Sequence, residues 1–212
     1  MRSPFADSER DRLIAALLPD VAFDGWSRHS LRMAARRTGI PVGEAMALFP
    51  RGAPDMVAAF SRWADRQMLD RLEATPVEPV SLSRRVALSL RLRFEVLTPW
   101  REAVRRGLAV LALPQNAPLG LRLLYETVDG LWYGVGDSST DFSFYTKRAT
   151  LAGIYAAAVL FWLDDRSPGF VDTQAFIDRR LADLHRLTGL RERLAVAAGQ
   201  LPNPLRLLRP SR

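Results

Sequence analysis

Helical periodicity, cut at short intervals by proline and glycine, is the feature that most constrains what this chain can fold into. Leu82, Val86, Leu90, Phe94 and Leu97 form one apolar row at i, i+4 and i+3 spacing, and Met56, Phe60, Ala64, Met68 and Leu72 form another. Such rows place one continuous stripe on a helix and face it to a core. Period-2 alternation rich in Val, Ile and Thr is almost missing, so strands have little to be made from. Breakers at Pro19, Gly39, Pro50, Pro76 with Pro79, Pro99, Pro114 with Pro118, the Gly134 to Ser139 segment, Pro168, Gly189, and Pro202 with Pro204 divide the chain into nine or ten helices. The expected fold class is all-α.

At 212 residues, with 48% hydrophobic and 25% charged residues, the chain has material for a substantial core. Cysteine is absent, which removes disulfides, thiolate metal sites and thiol nucleophiles. Two distant histidines, His29 and His185, leave little for an imidazole metal site or a His-based general base. No nucleophile–base pair and no metal set emerges, so neither catalytic nor metal-binding residues are nominated and a non-enzymatic role is expected. The net charge of +7 favours anionic partners, nucleic acid or phospholipid head groups alike. The opening MRSPFADSERDR has early acids and no apolar core of a signal peptide, so the chain is read as cytoplasmic. The apolar run 149–163 falls short of the roughly 20 residues of a membrane span, and is read as a buried helix with neighbours on every side.

Three short helices, over residues 8–18, 30–38 and from 41 or 42 to 49, with Gly39 at the second connection, give a helix-turn-helix arrangement. The run FDGWSRHSLRMAARRTGIPVGEAMALFPRG resembles the N-terminal domain of TetR-type repressors. A recognition helix must present hydrogen-bonding side chains to base edges. Here it reads PVGEAMALF, whose one charge is Glu44. Arg28, Arg32, Arg36, Arg37 and Arg51 could hold phosphates or form an ordinary solvated face, and sequence-specific DNA binding is not expected. A TetR-type ligand-responsive regulator remains the alternative reading.

Residues 125–155 carry the densest signal. GVGDSS lacks the spacing of a phosphate loop, and Gly134 and Gly136 read as a helix end and turn. Glu126, Asp129, Asp137 and Asp141 are read as caps and surface carboxylates rather than a metal cluster. Thr98 is expected to cap a helix beginning TPWREAV, and Asp141, Ser138 or Ser139 to cap the helix through Tyr155 and Trp162. Trp132, Tyr133, Phe142, Phe144 and Tyr145 crowd a polar loop, either as core or with at least two facing outward as a contact surface. Small residues Ala152, Gly153, Ala156, Ala157 and Ala158 leave room for close packing or for a ligand cavity, whose walls we place at Leu124, Val128, Trp132, Ile154 and Tyr155.

The segment GDSSTDFSFYTKRATLAGIYAAAVLFWLDDRSPGFVDTQAFIDRRL, with FDGWS and LYETVDGLWYGVGD, resembles the ubiquinone-biosynthesis accessory proteins of the Coq-nine family over roughly residues 8–187. The resemblance implies a TetR-like fold and a bound isoprenoid quinone or phospholipid in the larger helical domain. It also implies presentation of a prenylated intermediate to the late-pathway hydroxylase. The family's partner-contact patch maps onto Asp129, Leu131, Asp141, Phe144 and Tyr145, near Lys147, with Phe144 where Trp is more usual.

The tail adds a second argument. Leu190, Leu194, Ala197, Ala198 and Leu201 make an apolar face, and residues 179–212 hold eight arginines against Asp183 and Glu192. That is a membrane-surface pattern, with a helix packed on its own domain as the other reading. Pro202 and Pro204 end the helix, after which Leu205, Leu208, Arg206 and Arg209 extend the contact. The expected division is a helix-turn-helix-like domain over 1–52, a lipid-binding domain over 53–188 and an amphipathic basic tail over 189–212. The expected location is the inner membrane's periphery, with the anionic membrane surface as a partner and a homodimer left open.

Overall fold

The computed structural model describes residues 4–75, 82–136 and 142–183. Every regular segment among them is helical: α1 (Pro4–Asp24), α2 (Arg28–Thr38), α3 (Val42–Leu48), α4 (Ala53–Ala74), α5 (Leu82–Leu97), α6 (Arg101–Leu111), α7 (Ala117–Gly134), α8 (Phe142–Asp164) and α9 (171–183). Short 3₁₀ turns over Thr98–Trp100, Pro114–Asn116 and Pro168–Phe170 link α5 to α6, α6 to α7 and α8 to α9.

Pro19, read as a breaker, lies inside α1 instead. Its ring costs an interior helix about 3 kcal/mol. Against that, Leu13, Ile14, Leu17, Leu18 and Val21 are all buried, and each contributes roughly 1.5–3 kcal/mol of apolar burial. Packing therefore outweighs the break. The α2 boundaries follow local chemistry: Ser27 accepts the Ser30 N–H at 3.1 Å, and Gly39 closes the helix in the left-handed region at φ 73°.

The two apolar rows read from the sequence are core stripes: Met56, Phe60, Ala64, Met68 and Leu72 of α4 and Val86, Leu90, Phe94 and Leu97 of α5 are buried. α4 packs on α5 and α7, and α7 on α8. One continuous core extends from Leu13 to Leu181. It crosses residues 52 and 53 without a break, bridged where the Trp26 indole N–H donates to the Ala103 carbonyl at 3.1 Å and its ring lies 5.4 Å from Phe60.

Thr98 does not cap the following helix. Its hydroxyl turns back to the Phe94 carbonyl at 2.7 Å, as Thr readily does within a turn, and α6 starts only at Arg101. The caps expected at Asp141, Ser138 and Ser139 lie outside the described residues.

α8 has no basic residue in its last turn, so its carbonyls are met from α6: Arg101 donates to Trp162 O at 2.5 Å and Asp165 O at 2.7 Å, and Arg105 to Leu163 O at 2.8 Å. Asp165 then organises the start of α9, accepting the Ser167 N–H at 2.7 Å and the Thr173 N–H at 2.9 Å. Nor is α8 covered on every side as expected, since Leu160 is 63% and Phe161 38% exposed. Gly153 and Ala157 share that open stripe, and residues so small bury little by being covered. Gly134 ends α7 close against α4, where an added Cβ would stand 2.7 Å from Leu69 Cδ2 and force that side chain to shift.

Candidate functional site: an apolar cavity with a polar inner cluster

α4, α5, α6, α7 and α8 enclose a cavity of about 450 Å³ that opens to solvent. That volume is within the range of small-molecule sites. Its walls come from residues one turn apart on each helix: Val57, Phe60 and Ser61 on α4, Val104, Leu108 and Leu111 on α6, Leu123, Leu124 and Thr127 on α7, and Tyr155, Ala156, Val159 and Leu160 on α8. The half-buried Leu111 and exposed Leu160 belong to its rim.

Among the described residues, four lining side chains are polar, Ser61, Arg93, Thr127 and Tyr155, and they belong to one hydrogen-bonded cluster. Arg93 is 3% exposed and pairs with Asp65 through Nη1. Its Nε donates to Tyr155 Oη at 2.8 Å, and its Nη2 reaches Thr127 Oγ1 at 3.3 Å and Ser61 Oγ at 3.5 Å. Thr127 passes a hydrogen bond on to Asp65 at 3.2 Å. Burial pushes the Asp65 carboxyl above its ordinary range, against the pull of Arg93 and Thr127. Burial also works against the Arg93 charge, but Asp65 and Tyr155 outweigh it and hold the guanidinium firmly protonated.

Of the wall residues nominated from sequence, Leu124 and Tyr155 line the cavity. Val128, Trp132 and Ile154 are buried in the core outside the lining, a correction to that list. Val128 and Trp132 follow Thr127 on α7, beyond the last α7 residue of the wall, and Ile154 is turned one residue away from Tyr155.

The partner patch is also divided. Leu131 is 0% exposed and belongs to the core, so it offers nothing to a partner. Asp129 and Leu131 are two residues apart on α7, a spacing that puts them on opposed faces of a helix. Asp129 faces outward with its carboxylate held by Arg148 Nε at 2.8 Å. Phe144, Tyr145 and Lys147 lie on α8, but their side chains, like Asp141, are outside the described residues. The membrane-contact residues Leu190, Leu194, Leu201, Leu205, Leu208, Arg206 and Arg209 are outside them as well. Trp132 is buried and Tyr133 is 80% exposed, so the two neighbouring aromatics divide between core and surface.

Glu126 takes two arginines, Arg62 Nε at 2.8 Å and Arg122 Nε at 2.8 Å, which bring its carboxyl below the usual range although burial works the other way. Among the described residues no group of three metal-ligating side chains converges, and no helix is long and apolar enough to cross a membrane.

The sequence reading missed Arg93, Asp65, Ser61 and Thr127. A trace was present: Ser61 and Asp65 sit four apart, each beside a core residue of the α4 stripe, and Arg93 precedes Phe94 in the α5 stripe.

The outward face of α3 presents Pro41, Val42, Gly43, Glu44 and Ala47. None of these residues except Glu44 carries a polar side chain, and a carboxylate repels phosphate. Of the five arginines nearby, Arg37 pairs with Asp20 at 2.7 Å and Arg51 with Asp55 at 2.6 Å.

Comparison with known proteins adds a second line. Residues 117–188 match the model of the COQ9 family. The chain is 33% identical over 183 residues to the mitochondrial ubiquinone biosynthesis protein COQ9 of Xenopus tropicalis, covering 82% of this chain and 57% of that protein. It is 34% identical over 181 residues to the Rattus norvegicus protein of the same name, covering 81% of this chain and 57% of that one. The Homo sapiens protein is 33% identical over 81% of this chain and 56% of its own length. The chain thus spans little more than half the length of these curated relatives. Among solved structures, a TetR transcriptional regulator from Nitrosomonas europaea superposes with a TM-score of 0.65 at 19% identity, covering 82% of this chain and 97% of that one. The fold is therefore TetR-like and all-α.

Proposed function

The chain is homologous to COQ9 proteins over about four fifths of its length, and from that premise we propose that it serves ubiquinone biosynthesis as a lipid-binding accessory protein without a reaction of its own. It takes a prenylated quinone intermediate from the membrane into the apolar cavity and presents it to the late-pathway hydroxylase. The observation that carries this reading is the cavity itself, apolar along α6, α7 and α8 and open to solvent at Leu160. A ligand with a long hydrocarbon chain gains on the order of 25 cal/mol for each Å² of apolar surface it removes from water there.

In this reading the basic tail over 189–212 docks on anionic lipid, at about 1 kcal/mol per arginine near the surface. The chain works at the periphery of the inner membrane. The Phe144 and Tyr145 region, with Asp129, Asp141 and Lys147, holds the hydroxylase, so that the substrate need not cross water. The quinone profile of membranes from a strain lacking the gene tests the reading. We expect a late ring-modification intermediate to accumulate and wild-type complementation to clear it, whereas the Phe144→Ala, Tyr145→Ala double variant does not. An unchanged ubiquinone pool would overturn the assignment. Removing residues 189–212 is expected to abolish flotation with anionic vesicles.

A ligand-responsive regulator is the second reading, favoured by the TetR-like fold alone. It predicts tight binding to one operator, released by a small hydrophobe. The apolar, acidic outward face of α3 argues against it.

A further inference from the structure

The polar cluster at the cavity has hydrogen-bonding capacity that its own members do not use. Tyr155 is 8% exposed, and its hydroxyl oxygen accepts the Arg93 Nε–H at 2.8 Å. Its own proton meets no acceptor among the described residues. Ser61, which is half-buried, receives Arg93 Nη2 at 3.5 Å and donates to none of the described residues. Buried hydroxyls are ordinarily satisfied, so the Tyr155 proton, left over beside the cavity, is available to an acceptor that enters it. A hydroxyl that accepts from a guanidinium is polarised, and its proton becomes the better donor.

The charges narrow the ligand further. Arg93 is already paired with Asp65, so the cluster presents an ion pair with hydroxyls in front of it rather than an uncompensated cation. A carboxylate or phosphate would face Asp65 as well as Arg93. A neutral carbonyl oxygen needs only the donated proton. The remaining wall is hydrocarbon, which suits a neutral amphiphile with its oxygenated end inward and its chain toward Leu160. We propose that Tyr155, backed by Arg93 and assisted by Ser61, is the hydrogen-bond donor that recognises a carbonyl oxygen of a neutral lipid at the inner end of the cavity. This rests on the lipid-binding reading above and adds to it which end of the ligand enters first and which residue reads it. A quinone ring and a lipid ester both supply such a carbonyl.

The test uses the full chain and diphenylhexatriene, a fluorescent hydrocarbon that needs the apolar walls alone. Decylubiquinone, monoolein and oleate are titrated against it, for the wild type, Tyr155→Phe and Ser61→Ala. Tyr155→Phe keeps the ring that packs on Phe94, and its thermal midpoint checks that it folds. We expect diphenylhexatriene to bind wild type and Tyr155→Phe within twofold of each other. Displacement by the carbonyl ligands should weaken about tenfold in Tyr155→Phe and less in Ser61→Ala, the scale of one lost hydrogen bond. Oleate should be the poorest competitor. A loss confined to decylubiquinone identifies the quinone as the source, a loss confined to monoolein the ester, and either supports the donor. Equal displacement in wild type and Tyr155→Phe overturns the proposal and leaves the lipid-binding reading standing, as does an equal loss of diphenylhexatriene. A wild type that binds neither the hydrocarbon nor any competitor overturns both.

Discussion

The α1–α3 region and the region from α4 to α8 share one core, but the second also buries a charged pair within it. The first keeps its Arg37–Asp20 pair at the surface. Its α3 surface is left apolar, with Glu44 as the exception. In the second, Arg93 and Asp65 are drawn inside, beside a cavity that is otherwise hydrocarbon. Surface pairs of the first kind contribute little stability, whereas a buried pair is expensive to disrupt and useful where orientation matters. Within one fold, the outward face of α3 lacks groups that hydrogen-bond to base edges, whereas the α4–α8 cavity carries a polar cluster.

Disrupting the buried pair gives the largest expected effect. Arg93→Ala leaves the Asp65 carboxylate alone in the interior and should destabilise by about 3–5 kcal/mol in urea unfolding. A loss below about 1 kcal/mol would put the two regions on the same footing and remove the contrast.

The next test separates core from surface on α7. Leu131→Ala should cost about 2–5 kcal/mol, as truncations of fully buried leucines do. Tyr133→Ala, only two residues away and exposed, should stay within about 0.5 kcal/mol. If instead Leu131→Ala leaves the thermal midpoint alone and weakens a partner, the patch as first read regains its member.

Asp165 supplies a pH-dependent test of the α8–α9 junction. Burial alone would raise its carboxyl, but hydrogen bonds from Ser167 and Thr173 win and bring it from 3.8 down to about 2. Because the folded value lies below the unfolded one, the stabilisation is present above about pH 4 and is lost as pH falls toward 2. Asp165→Asn should lower stability by about 2 kcal/mol at neutral pH, and the gap from wild type should close on acidification. A gap that persists at pH 2 would show that the charge is not what holds the turn.

The smallest effects belong to the first region. Arg28→Ala, Arg32→Ala and Arg36→Ala should each change stability by less than about 0.5 kcal/mol. Any association with duplex DNA should fall steeply with salt and show no sequence preference. Binding to one operator that persists at high salt would break the comparison outright.

The fold was largely legible. Rows such as Met56 to Leu72 carry their helix and their buried face in the same spacing, and Gly39 marks the end of α2 by chemistry that acts within a few residues, whereas the Ser27 cap starts α2 at Arg28 rather than at the expected residue 30. Failures came where a distant contact overrode a local rule, as at Pro19, or where two local rules competed, as at Thr98. The site was less legible. Leu124 and Tyr155 were reachable as apolar neighbours of small residues, but Val128 and Ile154 have the same character and lie outside the lining. Nothing in the chain tells which apolar residue lines a space and which fills one.

The sequence alone determined the helical class, the apolar stripes of α4 and α5, the absence of thiol chemistry and the lack of base-reading groups on α3, because each depends on residue type and spacing within a few turns. Tertiary structure decided that Leu131 faces the core, that Arg101 and Arg105 close α8, and that Ser61, Arg93, Thr127 and Tyr155 converge at one end of the cavity. Those four residues come from four helices as far as 94 positions apart, from Ser61 to Tyr155. Only the packing angles of α4, α5, α7 and α8 bring them within hydrogen-bonding distance, and no local pattern encodes an angle between helices.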